Sequence, residues 1–258
     1  MNTCKNKHSI KRCFNRACET YDLNCHVQIQ AGQFLIDKLK NYQIHYDQAL
    51  DVGCGTGMIT KRLLEELYCN HLLGIDFSNN LLEIAQGRLV RYNADLIEFD
   101  FDQFLCQTHQ KRYDLIFSNM SLQWSDELAL CIKQIYNHLS PNGIFAFSIP
   151  LQGTFFELNS IYSDQLHAYH DAFQMLSDFN VLLCEHESIV HSFDSVQSAL
   201  QSIKMVGANS LSCVTNQALH GRSFLKNFFK KKYPPYSLTY HVGYFIINKL
   251  QKCLLNCL

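Results

Sequence analysis

"ALDVGCGTGM", residues 49–58, is the stretch on which the fold turns. An apolar run ends in a glycine-rich loop, and "MITKRLLEEL" behind it has the spacing of a helix. Outward from this point the pattern repeats. "HLLGIDFS" predicts a second strand, and "NNLLEIAQGRLV" a helix opened by Ser/Asn capping residues. "RYNAD" predicts a short third strand, "LIEFDFDQFL" stays unassigned, and "YDLIFSN" predicts a fourth strand. "DELALCIKQIYNHL" reads as an amphipathic helix, and "SPNG" turns the chain into a fifth strand, "IFAFSIP". Strands alternating with helices over short connections imply a parallel sheet covered on both faces, and strands apolar on both sides suit that burial.

The flanks differ. Ser9 to Lys40 read as one or two helices, with Ala17, Tyr21, Val27, Ala31, Phe34, Leu35 and Leu39 at helical steps. After Pro150 the rhythm breaks. "TFFELNSIYSDQLHAYHDAFQML" and "DSVQSALQSIKMVG" read as helical, "VLLCEHESIVHSF" and "LTYHVGYFIIN" as extended. With no repeat and no low-complexity linker, residues 1–258 are expected to form one domain: N-terminal cap helices over 1–45, a ligand-binding core over 46–150, a cap and late strand over 151–235, and a closing strand and tail over 236–258.

The 258 residues are 47% hydrophobic and 17% charged, an ordinary globular composition, and the net charge of −1 speaks against bulk attraction to nucleic acid or anionic membrane. No apolar run reaches the roughly 18 residues that span a bilayer, and the basic N-terminus lacks the apolar segment of a secretory signal. The 12 cysteines form no CxxC pair. Reduced thiols, no metal site and a cytoplasmic location are therefore expected.

The loop Gly53-Cys54-Gly55-Thr56-Gly57 excludes two ligands by spacing. A dinucleotide fingerprint places its third glycine one residue later, and a phosphate-binding Walker loop needs a Lys-Ser/Thr pair that is absent. The G-x-G-x-G spacing after Asp51 resembles motif I of the class I S-adenosylmethionine-dependent methyltransferases. That resemblance implies an α/β, Rossmann-like mixed sheet, mostly parallel with an antiparallel last strand, helices on both faces and a helical cap. S-adenosyl-L-methionine fits the residues: it has no phosphate, so no basic loop is needed, and glycines let the backbone approach it closely. Asp76, ending the second strand, is placed for the ribose hydroxyls, Asp95, read as following the third strand, for the adenine amino group, and Asn119 for the methionine end. Phe77, Leu96 and Met120 follow these residues and complete the expected cofactor set with Asp51, Gly53, Cys54, Gly55 and Gly57. Polar residues at successive strand ends are otherwise costly beside apolar strands.

Further motifs resemble one family, the malonyl-acyl-carrier-protein O-methyltransferases of biotin synthesis. "FNRACETYD" is similar to its F-x-R-A-A-x-x-Y signature through Phe14, Arg16, Ala17 and Tyr21, with Cys18 replacing alanine. "DLIFSNMSLQWSDEL" matches its D-L-x-x-S-N-x-x-x-Q-W segment, and "PLQGTFFEL" its Q-G-[ST]-x-x-E-L segment through Gln152, Gly153, Thr154, Glu157 and Leu158. "SIKMVGANSL" and "YSLTYHVGY" resemble two later segments, with Ser237 where proline is usual.

The resemblance implies methylation of the free carboxylate of a malonyl thioester on acyl carrier protein or coenzyme A. Such a carboxylate is ionised at neutral pH, so alignment and exclusion of water are the tasks and no base is required. Tyr21, Lys204 and Tyr240 are the candidate catalytic residues. Arg16, Arg222, Gln123, Trp124 and Gln152 are the candidate acceptor contacts, the arginines as cations for a buried anion. An acidic carrier protein asks for a local basic face. Two clusters qualify: Lys5, Lys7, Lys11, Arg12 and Arg16, and Arg222, Lys226, Lys230, Lys231 and Lys232. Two alternatives stay open. One is methylation of another small carboxylate or a quinone-type ring, with His241 or Glu157 as base. The other is an accessory factor that keeps only cofactor binding. Oligomeric state is unreadable.

Overall fold

The computed structural model describes residues 7–106, 111–158, 175–206 and 235–250. Its elements are α1 (Lys7–Asn24), α2 (His26–Leu39), β1 (His45–Val52), α3 (Met58–Glu66), β2 (Tyr68–Asp76), α4 (Asn79–Leu89), β3 (Ala94–Glu98) and α5 (Phe101–Cys106). There follow β4 (Tyr113–Asn119), α6 (Leu128–His138), β5 (Leu139–Pro150), β6 (Asn180–Phe193), α7 (Val196–Met205) and β7 (Tyr236–Asn248). One seven-stranded sheet runs β3-β2-β1-β4-β5-β7-β6. The pairs from β3 to β5 are parallel, and β7 enters antiparallel between β5 and β6. The mixed α/β sheet is the expected one.

Side chains alternate across this sheet with the period of two that a strand imposes. Leu50, Val52, Ile75, Ile116, Phe145 and Phe147 face one core, where Ile10 and Phe14 of α1, Leu81 of α4 and Ile132 and Ile135 of α6 meet them. Ala49, Leu72, Leu115, Phe117, Ala146 and Tyr244 face the other, under Leu35 and Ile36 of α2, Leu63 of α3 and Ala199 and Ile203 of α7. Each central strand is buried on both sides, so these segments read as unbroken apolar runs. Ser78 caps α4 by accepting from the Leu81 N–H (3.4 Å), as its sequence suggested.

Two readings shift. The third strand is Ala94–Glu98 rather than "RYNAD", and the unassigned segment supplies its end and then α5. The strand lies at the sheet edge, with only Asp95 of its first two residues fully exposed and no buried residue among its five; a strand without an apolar stripe gives no period to read. The helical reading over 159–174 and the second basic cluster fall outside the described residues. No helix among the described residues is long and apolar enough to cross a membrane.

Candidate functional site: the carboxyl edge between β1 and β4

Strand order reverses between β1 and β4, and in open α/β sheets such a switch point leaves a crevice at the carboxyl edge. The glycine loop sits there. Gly53, Gly55 and Gly57 all have positive φ (79°, 55° and 71°), the region where a side chain is strained. A Cβ at Gly53 would meet Ser121 Oγ at 1.8 Å, whereas one at Gly55 would meet nothing within 4 Å, because Gly55 faces open cleft.

A cleft forms among Tyr21, Cys25, Gln28, Asp51, Gly53, Cys54, Gly55, Phe117 and Asn119, so Tyr21 and five of the expected cofactor residues come together. Asp51 and Asp76 are both buried, 3% and 6% exposed. Asp51 accepts from the Thr60 hydroxyl at 2.6 Å. Burial pushes its carboxyl up to about 7, the Thr60 bond opposing and the Asp76 charge adding. Asp76 accepts from the N–H of Gly55 (2.9 Å) and of Ser78 (2.8 Å). Burial raises it to about 6 against those bonds. Two buried carboxylates raised in this way suit a ligand that brings hydroxyl donors and positive charge. The Tyr21 hydroxyl is pushed far above its ordinary value by burial, then by Cys25, Asp76 and Asp22, so at neutral pH it is a donor.

Beyond Asp76 a second cleft of about 370 Å³ opens at the ends of β2 and β3, lined by Lys7, Lys11, Phe77, Glu98, Phe99 and Asp100. Helix α1 lies across both clefts through one stripe of side chains. Lys7 Nζ donates to Asp100 (2.8 Å) and Asp102 (2.6 Å), and Lys11 pairs with Glu98. Asn15 Oδ1 accepts from Ser78 Oγ at 2.6 Å. Asp22 accepts from Thr56 Oγ1 (2.7 Å) and Arg88 Nη2 (2.5 Å), while Arg88 Nη1 also holds the Thr56 carbonyl at 2.6 Å. Residues 7, 11, 15, 18 and 22 recur at three- and four-residue steps, one face of a helix. With α1 down, the inner cleft keeps about 30 Å³ of free space, room for water but not for a nucleoside. Helix α1 thus covers the inner cleft as a lid.

These residues fit S-adenosylmethionine. Open space lies over Gly55, the buried Asp76 carboxylate accepts from the Gly55 N–H beside it, and the outer cleft offers the Phe77 and Phe99 rings and the Asp100 carboxylate. Other expected residues are placed differently. Asp95 is the second residue of β3, bonded to His71 (2.9 Å) and largely exposed; it lies three residues, about 10 Å, short of the strand end, and Asp100 rather than Asp95 lines the outer cleft. Leu96 is directed at Gly74 inside the sheet, where a Cβ on that glycine would meet it at 2.6 Å. The Cys54 thiol also lies near Gly74, and its N–H serves the Ile75 carbonyl (3.1 Å). Asn119 uses its side chain to hold α2, donating to the Gln28 carbonyl (2.8 Å) and accepting from Ser148 Oγ (2.8 Å). Met120, at φ 51°, donates its N–H to Ser148.

On the acceptor side Trp124 packs edge-on against Phe14 (5.6 Å), and Gln123 donates to the Met120 carbonyl (2.7 Å). Tyr240 is buried edge-on to Phe155 (4.5 Å) rather than lining the cleft. Arg16, Lys204 and Gln152 are exposed, so none reaches a buried anion here, and Arg222 lies outside the described residues. Glu157 accepts from the Thr239 hydroxyl (2.6 Å) and N–H (3.2 Å), and His241 is bonded to Ser188 (2.8 Å). Both candidate bases are thus engaged in fixing the 151–158 turn and β6 to β7. Asp22, Thr56, Arg88 and Asp100 escaped the sequence reading. Asp22, adjoining Tyr21, and Thr56, within the glycine loop, stood inside recognised motifs; Arg88 and Asp100 did not.

A further cavity of about 430 Å³ among Gln43, His45, Tyr68, Asp114 and Asn142 opens at the amino edge of the sheet, the end opposite the glycine loop.

Comparison with known proteins matches residues 50–145 to a family model described as a methyltransferase domain. A malonyl-acyl-carrier-protein O-methyltransferase 2 of Coxiella burnetii is 34% identical over 249 residues, 95% of this chain and 97% of that protein. The malonyl-acyl-carrier-protein O-methyltransferase of Priestia megaterium is 30% identical over 229 residues, 80% of this chain and 82% of its own. Among solved structures, the plantazolicin methyltransferase BpumL in complex with SAH superposes with a TM-score of 0.53 at 16% identity, over 94% of this chain and 96% of that one, a likeness of fold.

Proposed function

The chain belongs to the malonyl-acyl-carrier-protein O-methyltransferase family, and from that premise we propose that it methylates the free carboxylate of a malonyl thioester on acyl carrier protein, an early step of biotin synthesis, in the cytoplasm. The observation that carries this reading is the likeness to the Coxiella protein over nearly the whole of both chains, cap segments included. When bound, S-adenosylmethionine would supply a methyl group on a sulfonium: a carboxylate oxygen can bond to that carbon without a base as the S–CH3 bond breaks and its electron pair returns to sulfur, leaving the neutral thioether.

The chain's own residues bind, orient and exclude water. Asp76 would accept from the ribose hydroxyls, and Asp51 would supply negative charge for the cationic methionine end. Phe77, Phe99 and Asp100 would hold the adenine, with Asp100, now paired with Lys7, as acceptor for the ring amino group. Tyr21, protonated and carried on the underside of α1, donates to the acceptor carboxylate as water leaves. Arg16 and Lys204 point to solvent, and Arg222, the third candidate cation for that carboxylate, lies outside the described residues. Trp124 and Gln123, behind Phe14, line the acceptor side.

Methyl-labelled S-adenosylmethionine offered with malonyl-acyl carrier protein, malonyl-coenzyme A and free malonate tests the reading. Label on the malonyl carboxylate, with the carrier protein preferred, is expected. Cofactor binding without label on any of the three overturns it.

A further inference from the structure

The basic N-terminal segment divides on α1 into two faces. Lys7 and Lys11 turn inward and are paired with Asp100, Asp102 and Glu98. Arg12 and Arg16 are exposed, one helical turn apart on the opposite face, and neither has an acidic partner among the described residues. The same outer stripe continues through Glu19 to Leu23, which is 74% exposed. The arginines therefore play no part in holding the lid down. Two guanidiniums without an acidic partner among the described residues, beside an exposed leucine, are the combination that a negatively charged protein surface with an apolar spot complements. Position agrees with this. At 1.5 Å per residue, Arg16 lies about 8 Å along the helix axis from Tyr21 and Arg12 about 14 Å, so a partner seated here sits at the edge of the lid over the cleft.

We propose that Arg12 and Arg16, with Leu23, form the surface on which the acidic acyl carrier protein docks. This rests on the malonyl-thioester reading above. It assigns the carrier protein to the outside of the lid whose inside closes on the cofactor, so that docking and closure act on one helix. Steering by two charges changes association more than chemistry, and salt weakens it.

The test compares wild-type protein with R12E/R16E on malonyl-acyl carrier protein and on malonyl-pantetheine, which carries the same arm without the acidic protein. The charge reversal is expected to lower kcat/KM for the carrier protein about tenfold or more, and to change it less than twofold for malonyl-pantetheine. R12Q/R16Q should show a smaller loss with the same selectivity, which separates docking from misfolding. Titration of labelled carrier protein without methyl transfer should show weaker binding in the same order, with the salt dependence flattened. Equal losses on both substrates, or none on either, overturn the docking surface and leave the reaction standing. Wild-type protein that methylates neither thioester overturns both.

Discussion

Gly53 and Gly55 lie two residues apart in one loop, yet a methyl group has opposite consequences at the two. Gly53→Ala drives a Cβ into Ser121 and strains φ, so a stability loss of about 2–4 kcal/mol is expected in urea unfolding. Gly55→Ala pays only for its left-handed backbone, about 1–2 kcal/mol, but its methyl projects into the cleft; cofactor affinity measured by calorimetry should fall tenfold or more. The carboxylates make a separate prediction. In the empty protein Asp51 and Asp76 are raised to about 7 and 6, so the stability they allow is full below about pH 4 and is lost as pH rises through those values. A cationic cofactor favours their ionised forms, so binding releases protons. Its affinity should climb from pH 5 to 7 and level off above, and its thermal-shift effect should be larger at pH 8 than at pH 5.5. Asp51, Gly53 and Asn119 line the inner cleft, and that placement was legible in the sequence because each lies at or within one residue of the end of an apolar run. Asp22 with Arg88 was not: a pair separated by 66 positions leaves no trace in local spacing.

At the scale of the element, α1 acts as a lid fastened at both ends, by Lys7 at the outer cleft and by Asp22, Thr56 and Arg88 at the inner one. Half-buried, charge-assisted bonds of this kind contribute about 1.5–3 kcal/mol. Arg88→Gln should therefore speed amide exchange over residues 18–24 while leaving the Lys7 end protected. Cofactor association and dissociation should both quicken about tenfold in stopped flow, with Kd changed far less, since the fastening joins protein to protein and must open for passage in either direction. Unchanged rates with a large change in Kd would show instead that Arg88 touches the ligand. The sequence predicted α1 from its apolar spacing, but the polar stripe that fastens it meets residues of three different loops. The slip at β3 has a related cause. Its burial alternation is too weak for a period to register, and the slip put Asp95 beyond the strand end, whereas it is the second residue of β3 and Asp100 lines the outer cleft.

Across the whole molecule, the sheet is braced by a ladder of rings in which Phe145 stacks on Phe147 at 4.5 Å and Phe147 on Phe245 at 5.0 Å. Phe147→Ala should cost about 3–5 kcal/mol by urea unfolding, because a fully buried ring leaves a cavity its neighbours cannot close. The central strands were legible because burial on both faces writes them as apolar runs. Strand order was not, since β7 pairs with partners far away in the sequence and reaches its place only in the finished fold. That placement has a consequence for synthesis. β5 is complete at Pro150, yet the strand that covers its outer edge ends at Asn248. At about 5–20 residues per second, a ribosome leaves that edge bare for roughly 5–20 s. For that interval the nascent chain offers an apolar template that any extended segment can join, and its yield in the cell depends on what shields it until translation catches up.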